Sequence, residues 1–68
     1  MNVKKLSEEE KKFVVEVINM LGENHPAATP ENLGYFESAY VKELMLKAQK
    51  NLKEPYRTMA REIAAREN

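Results

Sequence analysis

The chain has 68 residues, no cysteine and one histidine, so it forms at most one domain and has no disulfide or thiolate zinc site. Its 11 basic and 11 acidic residues balance, and no segment approaches the ~20 apolar residues of a membrane span. We therefore expect a small soluble, cytoplasmic protein without a cofactor, one that gains stability from self-association or from a partner.

The first predicted helix covers residues 8–21 and follows a flexible tail, residues 1–6. Ser7 and Glu10 have the spacing of a capping box, and three glutamates occupy the first turn, where they favour the positive end of the helix dipole. Gly22 is the expected residue after the helix, because glycine accepts a positive φ without penalty. The connector that follows has no periodicity. We expect its His25 to be structural or incidental, since the chain has no aspartate to orient a catalytic histidine.

The second predicted helix is long, residues 30–52, with Thr29 as N-cap and Pro30 in the first position. At about 100° per residue its apolar residues cover half of the circumference, more than a small domain needs. Tyr35 and Leu46 fall outside that arc on the opposite face, which they share with Lys42. Glu37 falls inside the arc, so it either reaches water near a helix end or pairs with a basic group.

Pro55 is expected to end the second helix and to begin a third, residues 55–66, although one long helix kinked at Pro55 is the alternative. Residues 1–37 carry four lysines and seven glutamates, a net charge of −3, whereas residues 38–68 have a net charge of +3. The basic surplus indicates solvated helix faces, a mildly basic surface that meets an acidic partner, or a nucleic-acid surface. The residues of that possible surface are Lys50, Lys53, Arg57 and Arg61.

One run of residues resembles the central helix of the small enterobacterial modulators that bind the nucleoid protein H-NS: Leu33-x-x-Phe36-x-Ser38-Ala39, then Leu44 and Leu52, with a proline shortly after. The resemblance covers about a third of the chain. The charged motif after the Ser-Ala pair and the tryptophan near the C-terminus of that family are missing. The binding residues of the family are therefore not carried over.

These patterns together predict an all-α protein, a small antiparallel three-helix bundle with a long central helix and a single domain over residues 1–68. The predicted core is Phe13, Val14, Val17, Ile18, Leu21, Leu33, Phe36, Tyr40, Leu44, Ala48, Leu52, Tyr56, Met59 and Ile63.

Function is expected to be binding and not catalysis, because no nucleophile, acid–base pair or phosphate-binding glycine loop stands out. The leading hypothesis is a small regulator or inhibitor, of the kind that bacteria and phages encode, that binds a partner protein or a second copy of itself. Its predicted contact residues are Tyr35, Glu37, Lys42 and Leu46. The alternative is a nucleic-acid-binding or nucleoid-associated protein that uses the basic C-terminal half.

Overall fold

A computed structural model describes residues 5–22 and 28–66, and every regular element in these two ranges is helical. The elements are α1 (Glu8–Leu21), a 3₁₀ helix (Pro30–Tyr35), α2 (Ser38–Ala48) and α3 (Tyr56–Arg66). The helix α2 packs against both α1 and α3, and α1 also packs against the 3₁₀ helix. The predicted all-α fold class is therefore confirmed. None of the described helices is long and apolar enough to cross a membrane. His25 lies outside the described residues.

The helix α1 begins and ends where the sequence predicts. The capping box is present: Ser7 N–H donates to Glu10 Oε1 at 2.9 Å, and Glu10 N–H donates to Ser7 Oγ at 3.1 Å. The expected positive φ at Gly22 is wrong, because Gly22 has an extended backbone with φ −72° and ψ 134°. Glycine is favoured there for another reason. A Cβ atom at this position would lie 2.6 Å from the Ile18 carbonyl oxygen and closer still to the Tyr40 hydroxyl.

The predicted second helix, residues 30–52, is wrong as a single element. A 3₁₀ helix covers Pro30–Tyr35, Phe36 and Glu37 are extended, and α2 begins only at Ser38. Asn32 and Gly34 are poor helix formers, and the Asn32 side chain instead accepts a hydrogen bond from Thr29 N–H at 2.8 Å. Burial of Leu33 then holds the short 3₁₀ helix against α1. The break moves Glu37 out of the apolar arc to the N-cap position of α2, where it is exposed.

α2 and α3 are two separate helices, so the alternative of one long helix kinked at Pro55 is wrong. α2 ends at Ala48, four residues before the predicted end, and α3 begins at Tyr56 after a cis Glu54–Pro55 peptide bond. The Glu54 carboxylate accepts hydrogen bonds from the Thr58 N–H at 2.8 Å and from the Thr58 hydroxyl. It thereby satisfies one of the backbone donors that a helix start leaves unpaired.

The core lies where the three α-helices and the 3₁₀ helix meet, and most of the predicted core residues are buried there. Leu21 and Tyr56 are the errors, being 41% and 52% exposed. Leu6 is buried, so the predicted tail over residues 1–6 is wrong at its inner end. Buried residues that the prediction omits are Leu6, Ala28, Val41, Met45, Ala60 and Ala64.

Candidate functional site

An open groove of about 210 Å³ lies between the C-terminal half of α1 and the chain that joins α2 to α3. Phe13, Val17 and Ala48 form its floor and are almost fully buried. Glu16 and Asn51 are the polar residues at its walls. The complete lining is Phe13, Glu16, Val17, Met20, Leu21, Ala48, Asn51, Leu52 and Tyr56.

The rim of this groove is unusually apolar for a surface. Met20 is 74% exposed, Leu21 41% and Tyr56 52%, and these are three of the five large exposed hydrophobic side chains among the described residues. The Tyr56 ring stacks on Phe13 with a centroid separation of 6.0 Å and an interplanar angle of 17°. Isolated exposed apolar side chains are ordinary, whereas a cluster around one concave site is typical of a binding surface.

The early end of α2 explains why the groove is open. α1 continues to Leu21, but α2 stops at Ala48, and Leu52 lies in the non-helical chain beyond it. The last turn of α1 therefore has no full helical partner, and its side chains Met20 and Leu21 stay exposed. Sequence reasoning missed this site because it assigned both Leu21 and Tyr56 to the core. The sequence offered one signal: the apolar arc of α1 is wider than a short partner helix can cover.

Charged residues lie in the lining of the groove and beside it. On the α1 side Glu16 is the only charged residue that lines the groove, because Glu8, Glu9 and Glu10 lie in the first turn of the helix. The opposite wall belongs to residues 50–57, which hold three basic residues and one glutamate, a net charge of +2. Lys50 and Lys53 are exposed neighbours of the lining residues Asn51 and Leu52. The groove is therefore an apolar strip with one acidic residue in its lining and with basic residues next in sequence to the lining residues of its other wall.

The contact residues predicted from sequence lie outside this groove and belong to different elements: the 3₁₀ helix, the N-cap of α2 and α2 itself. Lys42 and Leu46 are one turn apart on α2, and Leu46 is 39% exposed. Tyr35 is 89% exposed but belongs to the 3₁₀ helix, so the angular relation expected from a continuous helix does not hold. Tyr35 and Glu37 instead line a separate open depression together with Phe36 and Tyr40, whose rings stack at 6.3 Å.

The four basic residues of the nucleic-acid alternative are all exposed: Lys50, Lys53, Arg57 and Arg61. Arg57 already donates from Nε to the Leu52 carbonyl oxygen at 3.1 Å. Glu54 lies among these cations, and hydrogen bonds from Thr58, followed by the charges of Arg61 and Arg57, lower the pKa of its carboxyl. An ionised carboxylate in the middle of a basic strip weakens the attraction for phosphate.

A second charged feature joins the two ends of the described chain. The Arg66 guanidinium forms an ion pair with Glu10 and donates to the Lys5 carbonyl oxygen at 3.3 Å. The hydrogen bond from Arg66, together with the Ser7 N–H, holds the pKa of the Glu10 carboxyl below its ordinary value although burial opposes this. Within residues 5–22 and 28–66, no three His, Cys, Asp or Glu side chains come together as metal ligands.

No protein-family model, no curated protein and no solved structure matches the chain. The resemblance to the central helix of the H-NS modulators loses its geometric basis as well. Its Leu33 lies in the 3₁₀ helix, and extended residues separate it from Leu44 on α2. Any functional assignment must therefore come from the surface of the chain itself.

Proposed function

We propose that this chain is a non-enzymatic protein-binding module, a small regulator or inhibitor that acts by burying its apolar groove on another protein surface. One observation carries the proposal: Met20, Leu21 and Tyr56 stay exposed around a single open groove. Methionine and tyrosine are enriched at protein interfaces, where large side chains near the centre of a contact supply most of the binding energy. The cytoplasmic location stays a prediction from the sequence.

The size and lining of the groove favour a protein occupant over a small molecule. Pockets for drug-sized ligands usually measure about 300–1,000 Å³ and contain several converging polar groups. This groove has about 210 Å³ and two polar lining residues, Glu16 and Asn51. An apolar cavity of about 150 Å³ accommodates a benzene ring. The groove thus suits one large apolar side chain that a partner inserts.

Site-specific photo-crosslinking in the host cell tests the proposal. A benzophenone amino acid replaces Met20 in one variant and Tyr35 or Leu46 in two control variants, all at exposed positions. We expect a discrete crosslinked protein band from position 20, lost when Leu21 is also changed to lysine. Adducts from position 35 or 46 with none from position 20 would contradict the groove and favour the surface predicted from sequence.

Nucleic-acid binding is the second candidate, supported by the exposure of Lys50, Lys53, Arg57 and Arg61. Fluorescence anisotropy of a labelled duplex at low salt measures it directly. The candidate requires binding that falls steeply with added salt and is lost when Arg57 and Arg61 are both changed to glutamine. Unchanged anisotropy at all protein concentrations would eliminate it.

A further inference from the structure

The open depression beside the start of α2 combines aromatic rings with a carboxylate. Its lining is Tyr35, Phe36, Glu37 and Tyr40, and its volume is about 310 Å³. We infer that this aromatic depression binds an organic cation of the quaternary ammonium class, carried either by a small molecule or by the methylated lysine of a protein. The inference goes beyond the proposed function, because the groove at Met20 shares no lining residue with the aromatic depression.

The break between the 3₁₀ helix and α2 concentrates aromatic side chains at one place. The chain has three tyrosines and two phenylalanines, and three of these five residues line the aromatic depression. The rings of Phe36 and Tyr40 stack at an interplanar angle of 15°, and both pack against the core. The Tyr35 ring is 89% exposed and is therefore open to a ligand. The face of an aromatic ring carries partial negative charge, so it attracts a cation within about 6 Å.

The charge of the aromatic depression has the sign that a cation requires. Glu37 is exposed, its side chain makes no cap hydrogen bond, and it forms no ion pair with another described residue. Residues 28–41 contain two glutamates and no basic residue, and the next residue, Lys42, does not line the depression. The start of α2 carries the positive end of the helix dipole, about half an elementary charge, which the full charge of Glu37 exceeds.

The composition of the lining selects the kind of cation. A lysine ammonium is strongly hydrated and a guanidinium has five N–H donors, so each needs several acceptors to replace its water. The aromatic depression offers the Glu37 carboxylate as its charged acceptor, and the remaining lining is aromatic. A quaternary ammonium group has no N–H donor to satisfy and presents methyl groups to the ring faces. Aromatic rings are the surroundings in which proteins commonly recognise such groups.

Titration of the complete chain with choline, followed by amide NMR spectra at constant ionic strength, tests the inference. We expect saturable shifts centred on residues 35–40, with a dissociation constant in the millimolar range, because exposed cation–π contacts are individually weak. The neutral carbon analogue of choline, in which a tert-butyl group replaces the trimethylammonium group, should not bind. Equal binding of this analogue would overturn the inference, since shape without charge would then be sufficient.

Matched substitutions locate the site. Tyr35→Leu and Glu37→Gln should each weaken choline binding about two- to fivefold, and both variants should fold because the two side chains are exposed. The controls Tyr56→Leu and Glu31→Gln change exposed residues of the same types outside the aromatic depression, so they should leave binding unchanged. Equal losses in the controls, or no loss from either Tyr35→Leu or Glu37→Gln, would contradict the assigned site.

A short glycine–serine peptide that carries one trimethylated lysine distinguishes the two sources of the cation. Tighter binding of this peptide than of choline, lost when the lysine is unmodified, would identify a methylated protein as the ligand. Choline binding as tight as that of the peptide, or tighter, would identify a small molecule. Absence of saturable binding of both probes would refute the inference and leave the proposed function standing, because the groove at Met20 takes no part.

Discussion

The two glycines of the chain provide a matched test of the packing between α1 and α2. Gly22→Ala should destabilise the protein although its φ of −72° suits alanine. The added Cβ would lie 2.6 Å from the Ile18 carbonyl oxygen and in contact with the Tyr40 hydroxyl, so the end of α1 or the Tyr40 ring must shift. Gly34→Ala is the control, because nothing lies within 4 Å of a Cβ at that position.

The two substitutions are expected to change the stability of the protein in different directions. Overpacking of this kind costs about 1–3 kcal/mol, and the reduced entropy of the unfolded chain returns about 0.4–1 kcal/mol. The net loss for Gly22→Ala is therefore about 0–2.6 kcal/mol, and its midpoint of about 1.3 kcal/mol lowers the Tm of a domain of this size by about 5–10 °C. Gly34→Ala escapes the clash and should be neutral or stabilising by up to about 1 kcal/mol. Total stability is on the order of 3–10 kcal/mol, so both effects are measurable.

Urea unfolding and thermal melts followed by circular dichroism measure both variants against the parent chain. A third variant, Tyr40→Phe, removes one of the two atoms that the new Cβ would meet. The penalty of Gly22→Ala should consequently be smaller in the Tyr40→Phe background, as a double-mutant cycle reports. A Gly22→Ala protein as stable as the parent, or an unchanged penalty after Tyr40→Phe, would refute the close approach of Gly22 and Tyr40.

Two further predictions concern the core and the ion pair that joins the ends of the described chain. Met45→Ala should cost about 2–5 kcal/mol because Met45 is fully buried. Met20→Ala, at 74% exposure, should change the stability of the monomer by less than about 0.5 kcal/mol. Urea unfolding at low protein concentration compares the two variants, and equal losses would contradict the assigned burial. Glu10→Gln keeps an acceptor for the Ser7 N–H but removes the charge that faces Arg66. Because the pKa of Glu10 is lowered in the folded protein, its contribution is complete above the unfolded pKa of about 4.5 and is lost as the pH falls through the folded value. The free energy of unfolding of the variant should therefore be about 0.5–1 kcal/mol lower than that of the parent at pH 7 and equal to it in strong acid. A difference in stability that does not depend on pH would contradict the ion pair.

Local signals were reliable wherever one residue or one short motif decides the backbone. The capping box of Ser7 and Glu10 places the start of α1 correctly, because both of its hydrogen bonds form within one turn. The start of the third helix at Pro55 is confirmed to within one residue, since proline lacks the N–H that a helix interior needs, whereas the alternative of a kinked helix was excluded only by the structure. The all-α fold class follows from such signals together with the glutamate-rich composition.

The ends of α2 were beyond local reasoning. The two extended residues, Phe36 and Glu37, are neither proline nor glycine, and Ala48 is followed by good helix formers. No helix-breaking residue type therefore marks either end of α2. Differences in helix propensity of a few tenths of a kcal/mol are smaller than the burial of a single side chain such as Leu33. Tertiary packing therefore chooses where such a helix begins and ends.

The candidate site follows directly from that choice. The sequence by itself determined that the protein is helical, where α1 begins, that the helical pattern breaks or kinks at Pro55, and that apolar side chains exceed what one helix face can bury. Only the tertiary structure decided that α2 stops at Ala48 and that Met20, Leu21 and Tyr56, rather than Tyr35 and Leu46, surround an open groove. Helix caps act over a few residues, whereas the exposure of a side chain depends on what the distant parts of the chain leave uncovered.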